Sequence, residues 1–198
     1  MKNVLLLFCQ GTEIFEAAAF YDVLGWSGSN GFEEVRVKTA ESTSQVTCTF
    51  GLKVTVDLPL TEVVPENYHA LAVPGGFEEF GFYADAYSPP VQGLIARFAA
   101  LNKPIASICV AALPIARAGL LAGKRATVYH LGDGRQRKQL AGFGATVVDE
   151  AVVQDGNIIT STAPATAVEV ALQLLAQLTD AKTAAQIRHL MGFPPLKP

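Results

Sequence analysis

Residues 104–112 read Pro104-Ile105-Ala106-Ser107-Ile108-Cys109-Val110-Ala111-Ala112. The first five are short, apolar and opened by a proline, the pattern of a fully buried strand. Residues 110–121 then follow a helical pattern that Gly119 or Gly123 would end. No loop residues separate the two. A side chain at such a corner is pushed out on a tight turn, with helix N–H groups beside it. Small residues two positions to either side, here Ser107 and Ala111, let the backbone turn. This is the small-x-nucleophile-x-small arrangement of a nucleophile elbow, with cysteine in place of serine. A helix N-terminus favours thiolate over thiol, which makes Cys109 the candidate nucleophile.

Outward from this corner, apolar runs alternate with amphipathic helical patterns. The spacing predicts strands over 4–8, 34–39, 70–73, 125–129, 145–148, 152–154 and 157–160, and a hairpin over 45–57 turning at Phe50-Gly51. It predicts helices over 13–26, 90–101, 136–141, 166–178 and 181–191. Strands separated by helices imply an α/β fold whose mostly parallel sheet is covered on both faces. That architecture places function at the carboxyl ends of the strands. Glu13 and Glu16, Gly75-Gly76, Cys109 and Tyr129-His130 all follow strand ends, so four segments are expected on one rim. One domain over 1–198 is expected, with 193–198 as a loose terminus.

Composition narrows the function classes. The chain has 198 residues, half of them hydrophobic and 17% charged, enough for one sizeable core. A formal charge of -3 gives no reason to expect nucleic acid or an anionic membrane as a partner. The basic cluster Arg135, Arg137 and Lys138 reads as a solvated helix face. The opening apolar run is too short to span a membrane and lacks a signal-peptide cleavage site. Three cysteines without such a signal point to a reducing, cytoplasmic setting. Cys9, Cys48 and Cys109 have no zinc-like spacing with His69, His130 and His189, so no metal is expected.

Each candidate has a bland alternative. Cys109 would otherwise be a core thiol. Cys9 lies inside a core strand, and Cys48 on a hairpin strand reads as a surface or interface thiol. Gly75 and Gly76 form an ordinary turn, or they aim a backbone N–H that joins the Val110 N–H in an oxyanion hole. Glu16 is a helix-dipole acid on a solvated face, or a buried acid beside Cys109. Ala17-Ala18-Ala19 after it suit a buried face. Burial would raise its pKa and let it donate to the sulfur and shuttle a proton. His130 is a general base for the thiol or a structural residue. His69 and His189 lie away from strand ends.

Taken together, these residues resemble the ThiJ/PfpI superfamily over nearly the whole chain. The resemblance rests on Leu6-Leu7-Phe8-Cys9-Gln10-Gly11-Thr12-Glu13-Ile14-Phe15-Glu16, Ala72-Val73-Pro74-Gly75-Gly76, Ala106-Ser107-Ile108-Cys109 and the stretch from Asn157 to Thr166. It implies a flavodoxin-like three-layer α/β/α sandwich and a homodimer. It also implies a Cys109–Glu16 dyad with oxyanion donors from Gly75 or Gly76 and Val110. Cys48 resembles a second, less reactive cysteine of the deglycase branch. The departures are informative. The deglycase branch has a histidine where this chain has Tyr129, with His130 one residue on. Adjacent extended residues face opposite ways, so His130 is a doubtful partner. The protease branch has a histidine where Val110 stands.

Three functions follow as expectations. The first is a cofactor-free enzyme in which Cys109 adds to a small electrophilic carbonyl, such as a 2-oxoaldehyde or its adduct on a glycated protein. The second is a redox sensor or chaperone whose cysteine is oxidised to sulfinic acid. The third is an isonitrile hydratase-like hydratase, supported by similarity over 119–127 and opposed by Glu16 and Val110, where those enzymes prefer aspartate and a hydroxyl residue. Pocket specificity is expected from 77–87 and from the loop after His130.

Overall fold

The computed structural model describes residues 1–41 and 45–194. The run Val4 to Leu7 is buried throughout, because strand β1 (Lys2–Leu7) lies at the middle of a sheet covered on both faces. β1 pairs in parallel with β2 (Val35–Glu41) on one side and β6 (Ala70–Val73) on the other. β7 (Ile105–Ser107) and β11 (Ile158–Ser161) follow β6 in parallel. The order β2-β1-β6-β7-β11 is that of a flavodoxin-like doubly wound fold. Two edge strands complete seven: β5 (Leu58–Pro59), parallel beside β2, and β10 (Val152–Asp155), antiparallel beside β11. The predicted hairpin forms from β3 (Gln45–Thr47) and β4 (Lys53–Thr55) and turns through Phe50-Gly51.

Helices complete the three layers. α1 (Ile14–Ser29), α6 (Ala167–Leu178) and α7 (Ala181–Leu190) pack together on one face. α2 (Phe82–Ala86), α3 (Pro89–Ala100), α4 (Ala112–Arg117) and α5 (Arg135–Gly142) form the other. From β1 the chain moves outward to β2 and β5, then returns to β6 on the other side of β1. The crevice above the carboxyl ends of β1 and β6 is therefore the topological switch point, where this fold class binds its ligands.

Three expectations change. Only Arg125–Ala126 of 125–129 is a strand, β8, and it pairs with β9 (Thr146–Val147) in a separate two-stranded sheet. Beyond it the Thr127 N–H, on the side away from β9, donates to the Thr160 hydroxyl at 3.0 Å. The helix after Cys109 stops at Arg117, since Gly119 takes a left-handed φ of 82°. Phe193 and Pro194 are tied to α7, the Phe193 N–H by the Arg188 carbonyl and the Pro194 carbonyl by the Arg188 guanidinium. Residues 195–198 of the expected loose terminus lie outside the described residues.

Lys103 holds the amino-end loops in place. Its ammonium donates to the carbonyls of Pro65 (2.6 Å), Glu66 (3.0 Å) and Tyr68. These carbonyls belong to the loop that leads into β6, and methionine would keep the stem but leave them without their charged donor. Lys103→Met is expected to cost about 2 kcal/mol, read as a lower urea midpoint with an unchanged slope.

Candidate active site

Cys109 adopts φ 57°, a left-handed conformation that L-residues other than Asn and Asp rarely take. β7 ends one residue before Ile108, and a 3-10 turn over Cys109–Ala111 leads into α4. The corner read from the sequence is thus a backbone turned through an unfavourable region, and the surrounding structure holds it there. Cys109 is 8% exposed, at the wall of a cavity of about 500 Å³. The Val110 amide points to its sulfur and eases the thiolate form. Burial outweighs that help: desolvation first, then the charge of Glu16, pushes the Cys109 thiol well above its ordinary value.

Glu16 is fully buried in the first turn of α1. Glu13 caps this helix, accepting from the Phe15 N–H at 3.4 Å, and its own N–H donates to the Gly75 carbonyl at 2.8 Å. These bonds aim the turn at the loop after β6. The Gly75 N–H donates to Glu16 Oε2 at 2.6 Å. Burial pushes the Glu16 carboxyl up from 4.5 to about 8; the Gly75 amide opposes the rise, Glu13 adds to it, and a hydrogen bond with Cys109 opposes it. Burial thus favours the neutral acid form of Glu16, which faces the sulfur.

The two glycines play different parts. A Cβ on Gly75 would lie 2.9 Å from the Ile108 carbonyl oxygen, 3.0 Å from Glu16 Oε2 and 3.2 Å from the Cys109 Cβ. Only glycine lets the β6 loop approach the elbow so closely. Its amide is already committed to Glu16, so it does not serve as the free oxyanion donor the sequence reading allowed. Gly76 lines the cavity, and a Cβ there would collide with the Gly11 backbone and lie 2.5 Å from the Phe82 ring. Gly76 and Val110 both line the cavity.

The structure brings together Cys109, Glu16, Gly76 and Val110 but not His130. Tyr129 and Leu131 line the cavity and His130 does not; its Nδ1 is buried without a hydrogen-bond partner. This is the alternation of an extended segment. His69 is structural, its Nδ1 accepting from the Asn3 N–H at 3.0 Å. Cys9 and Cys48 are buried, the latter fully, which corrects its reading as a surface thiol. Burial, then Glu13, pushes the Cys48 thiol up to about 11.

Phe77, Glu78 and Tyr83 line the cavity, as does Arg135 from α5. Arg135 is exposed, as its sequence reading expected, and it also pairs with Glu78 at 2.8 Å across the mouth. Sequence reasoning missed Gln136 and the 163–165 turn, which also line it. A glutamine following an arginine on a short polar helix carries no periodic signal. Among the described residues, no group of three or more His, Cys, Asp or Glu is gathered as a metal site. No described helix is long and apolar enough to cross a membrane.

A doubly wound α/β/α protein with a cysteine on a left-handed elbow against a buried glutamate defines a class. Residues 2–177 match the DJ-1/PfpI family, and the chain belongs to it. It is 29% identical to Protein dj-1beta of Drosophila melanogaster over 186 residues, 94% of each chain. The crystal structure of Drosophila DJ-1beta matches with a TM-score of 0.85 at 28% identity, over 98% of both chains. Oxidized Toxoplasma gondii DJ-1 matches with a TM-score of 0.81 at 26% identity, over 98% of this chain and 99% of that one. Protein DJ-1 homolog A of Arabidopsis thaliana is 29% identical over 98% of this chain but only 47% of its own length, so the chain spans about half of that relative.

Proposed function

We propose that this protein is a cofactor-free enzyme that converts small 2-oxoaldehydes, or their adducts on proteins, through Cys109 and Glu16. The observation that carries this reading is a fully buried Glu16 against a cysteine held at a left-handed corner in the wall of a cavity. The reactive form is the Cys109–Glu16 pair holding a single proton. The thiolate forms a bond to the aldehyde carbon, the carbonyl π pair moves to oxygen, and Glu16 gives that oxygen its proton. The Gly76 and Val110 amides stabilise the developing charge. Glu16, now a carboxylate, takes the hydrogen from the first carbon and returns it to the second. The hydroxyl proton passes from the first oxygen to the second. The product is a 2-hydroxyacyl thioester, which water hydrolyses to a 2-hydroxy acid and the free thiol.

Cys109→Ser is expected to abolish conversion of methylglyoxal, and Glu16→Gln to reduce it by about 10²–10⁴-fold, the usual contribution of a positioned acid–base group. Chiral chromatography of the lactate formed, with aldehyde loss followed in parallel, checks both. Undiminished conversion by both variants would overturn the reading. Exposed apolar side chains on α1 (Phe15, Tyr21) and at the hairpin turn (Phe50, Leu52) support a homodimer.

A second reading has its own support. A protonated Glu16 and the Val110 amide are both placed to donate to oxygens added to Cys109, and a similar Toxoplasma protein is known in an oxidized form. An exposure to peroxide that adds two oxygens to Cys109 alone would favour this sensor role.

A further inference from the structure

We infer that Tyr83 is a further catalytic residue, whose hydroxyl donates a hydrogen bond to the second oxygen of the substrate as charge gathers there. This rests on the proposed 2-oxoaldehyde chemistry and supplies a group that chemistry still lacks. Glu16 and the backbone amides serve the oxygen on the carbon that Cys109 attacks. When that carbon gives up its hydrogen, the bonding pair moves toward the next carbon and the ketone π pair moves to the second oxygen. That oxygen stays negative until the proton of the first hydroxyl reaches it. A positioned donor at the second oxygen lowers the barrier of this step.

Tyr83 lies in α2 and lines the cavity that holds Cys109. Its hydroxyl is turned toward that cavity: Cys109, Arg135 and Glu78, whose charges act on it, all line the same space. Among the described residues the hydroxyl has no hydrogen-bond partner, and the side chain is only partly buried, so a ligand can reach it. Burial first, then Tyr87 and Cys109, pushes the phenol well above its ordinary value. It therefore keeps its proton and acts as a donor. The ring is also held in place. It packs on the rings of Phe82 at 5.6 Å and Tyr87 at 5.4 Å, and the Arg117 guanidinium from α4 covers Tyr87 at 4.7 Å. Phe82 is fully buried with its ring against Gly76. Asp85 ties α2 to the end of β1 by accepting from the Gln10 N–H at 2.9 Å. The aromatic stack itself needs no hydroxyl, and phenylalanine would pack equally well.

Tyr83→Phe keeps the ring and removes only the hydroxyl. With methylglyoxal, kcat is expected to fall about 10²-fold while KM stays within about three-fold, since the lost bond strengthens as charge develops. Independently of turnover, Cys109 is alkylated with chloroacetone, which has a ketone oxygen beside its electrophilic carbon, and with allyl chloride, which has no oxygen. Intact mass follows both reactions, with Cys109→Ser as the background. Tyr83→Phe is expected to slow chloroacetone about ten-fold and leave allyl chloride unchanged. Equal effects on the two alkylators, or none on either, would overturn the role of Tyr83. So would a selective loss confined to Tyr129→Phe, the other phenol that lines the cavity. Failure of the wild-type protein to convert methylglyoxal, with the alkylator split intact, would overturn the proposed activity and support Tyr83 as a donor to a ligand carbonyl.

Discussion

Glu16→Gln is expected to stabilise the protein at pH 8.5 by roughly 3–5 kcal/mol relative to its effect at pH 5. The magnitude follows from a carboxyl raised from 4.5 to about 8 by burial. Between those values the folded chain keeps a proton that the unfolded chain has released. Stability linked to a raised pKa is therefore fully present below 4.5 and is lost as pH rises through 8. Glutamine has no such proton to lose. Its carbonyl can still accept from the Gly75 N–H, and its amide can still donate toward Cys109. Urea midpoints of both proteins at pH 5, 7 and 8.5 check this. Parallel pH dependences would show that Glu16 ionises freely and would remove the acid assigned to it. Activity and stability should therefore move in opposite directions at this one position.

Gly75→Ala is expected to cost roughly 2–3 kcal/mol, as overpacking of a rigid site does, and to abolish conversion of methylglyoxal. The new methyl would meet the Ile108 carbonyl at 2.9 Å, and a backbone atom of the elbow cannot step aside as a flexible side chain can. Relief requires the β6 loop to withdraw, and withdrawal lengthens the 2.6 Å bond from Gly75 to Glu16. The loss should appear as slower alkylation of Cys109 by iodoacetamide under conditions where circular dichroism reports a folded protein. A folded, fully active Gly75→Ala protein would show that the close approach at this corner is not required.

Much of this was legible because it is local. An apolar five-residue run ending at Cys109 predicts a strand whatever lies around it. Ser107 and Ala111 predict a tight corner, and the corner has the left-handed φ that such a turn needs. Where the reading failed, the deciding partner was distant. The strand expected over 125–129 forms only at Arg125–Ala126, and the N–H of the next residue, Thr127, is held by the side chain of Thr160, 33 residues away. Cys48 looked like a surface thiol because alternation within a short hairpin does not reveal what packs over it.

The sequence by itself determined the alternating strands and helices, the cysteine corner and the glycines that crowd it. Each depends on hydrophobic period or on the steric limits of one or two residues. Only the tertiary structure decided that the Gly75 amide belongs to Glu16 and that Tyr129 and not His130 faces the cavity. Those outcomes depend on desolvation and on hydrogen bonds across tens of residues, 59 in the case of Gly75 and Glu16. No local pattern fixes such terms, because the polar groups of a chain choose their partners only after the sheet has brought them together.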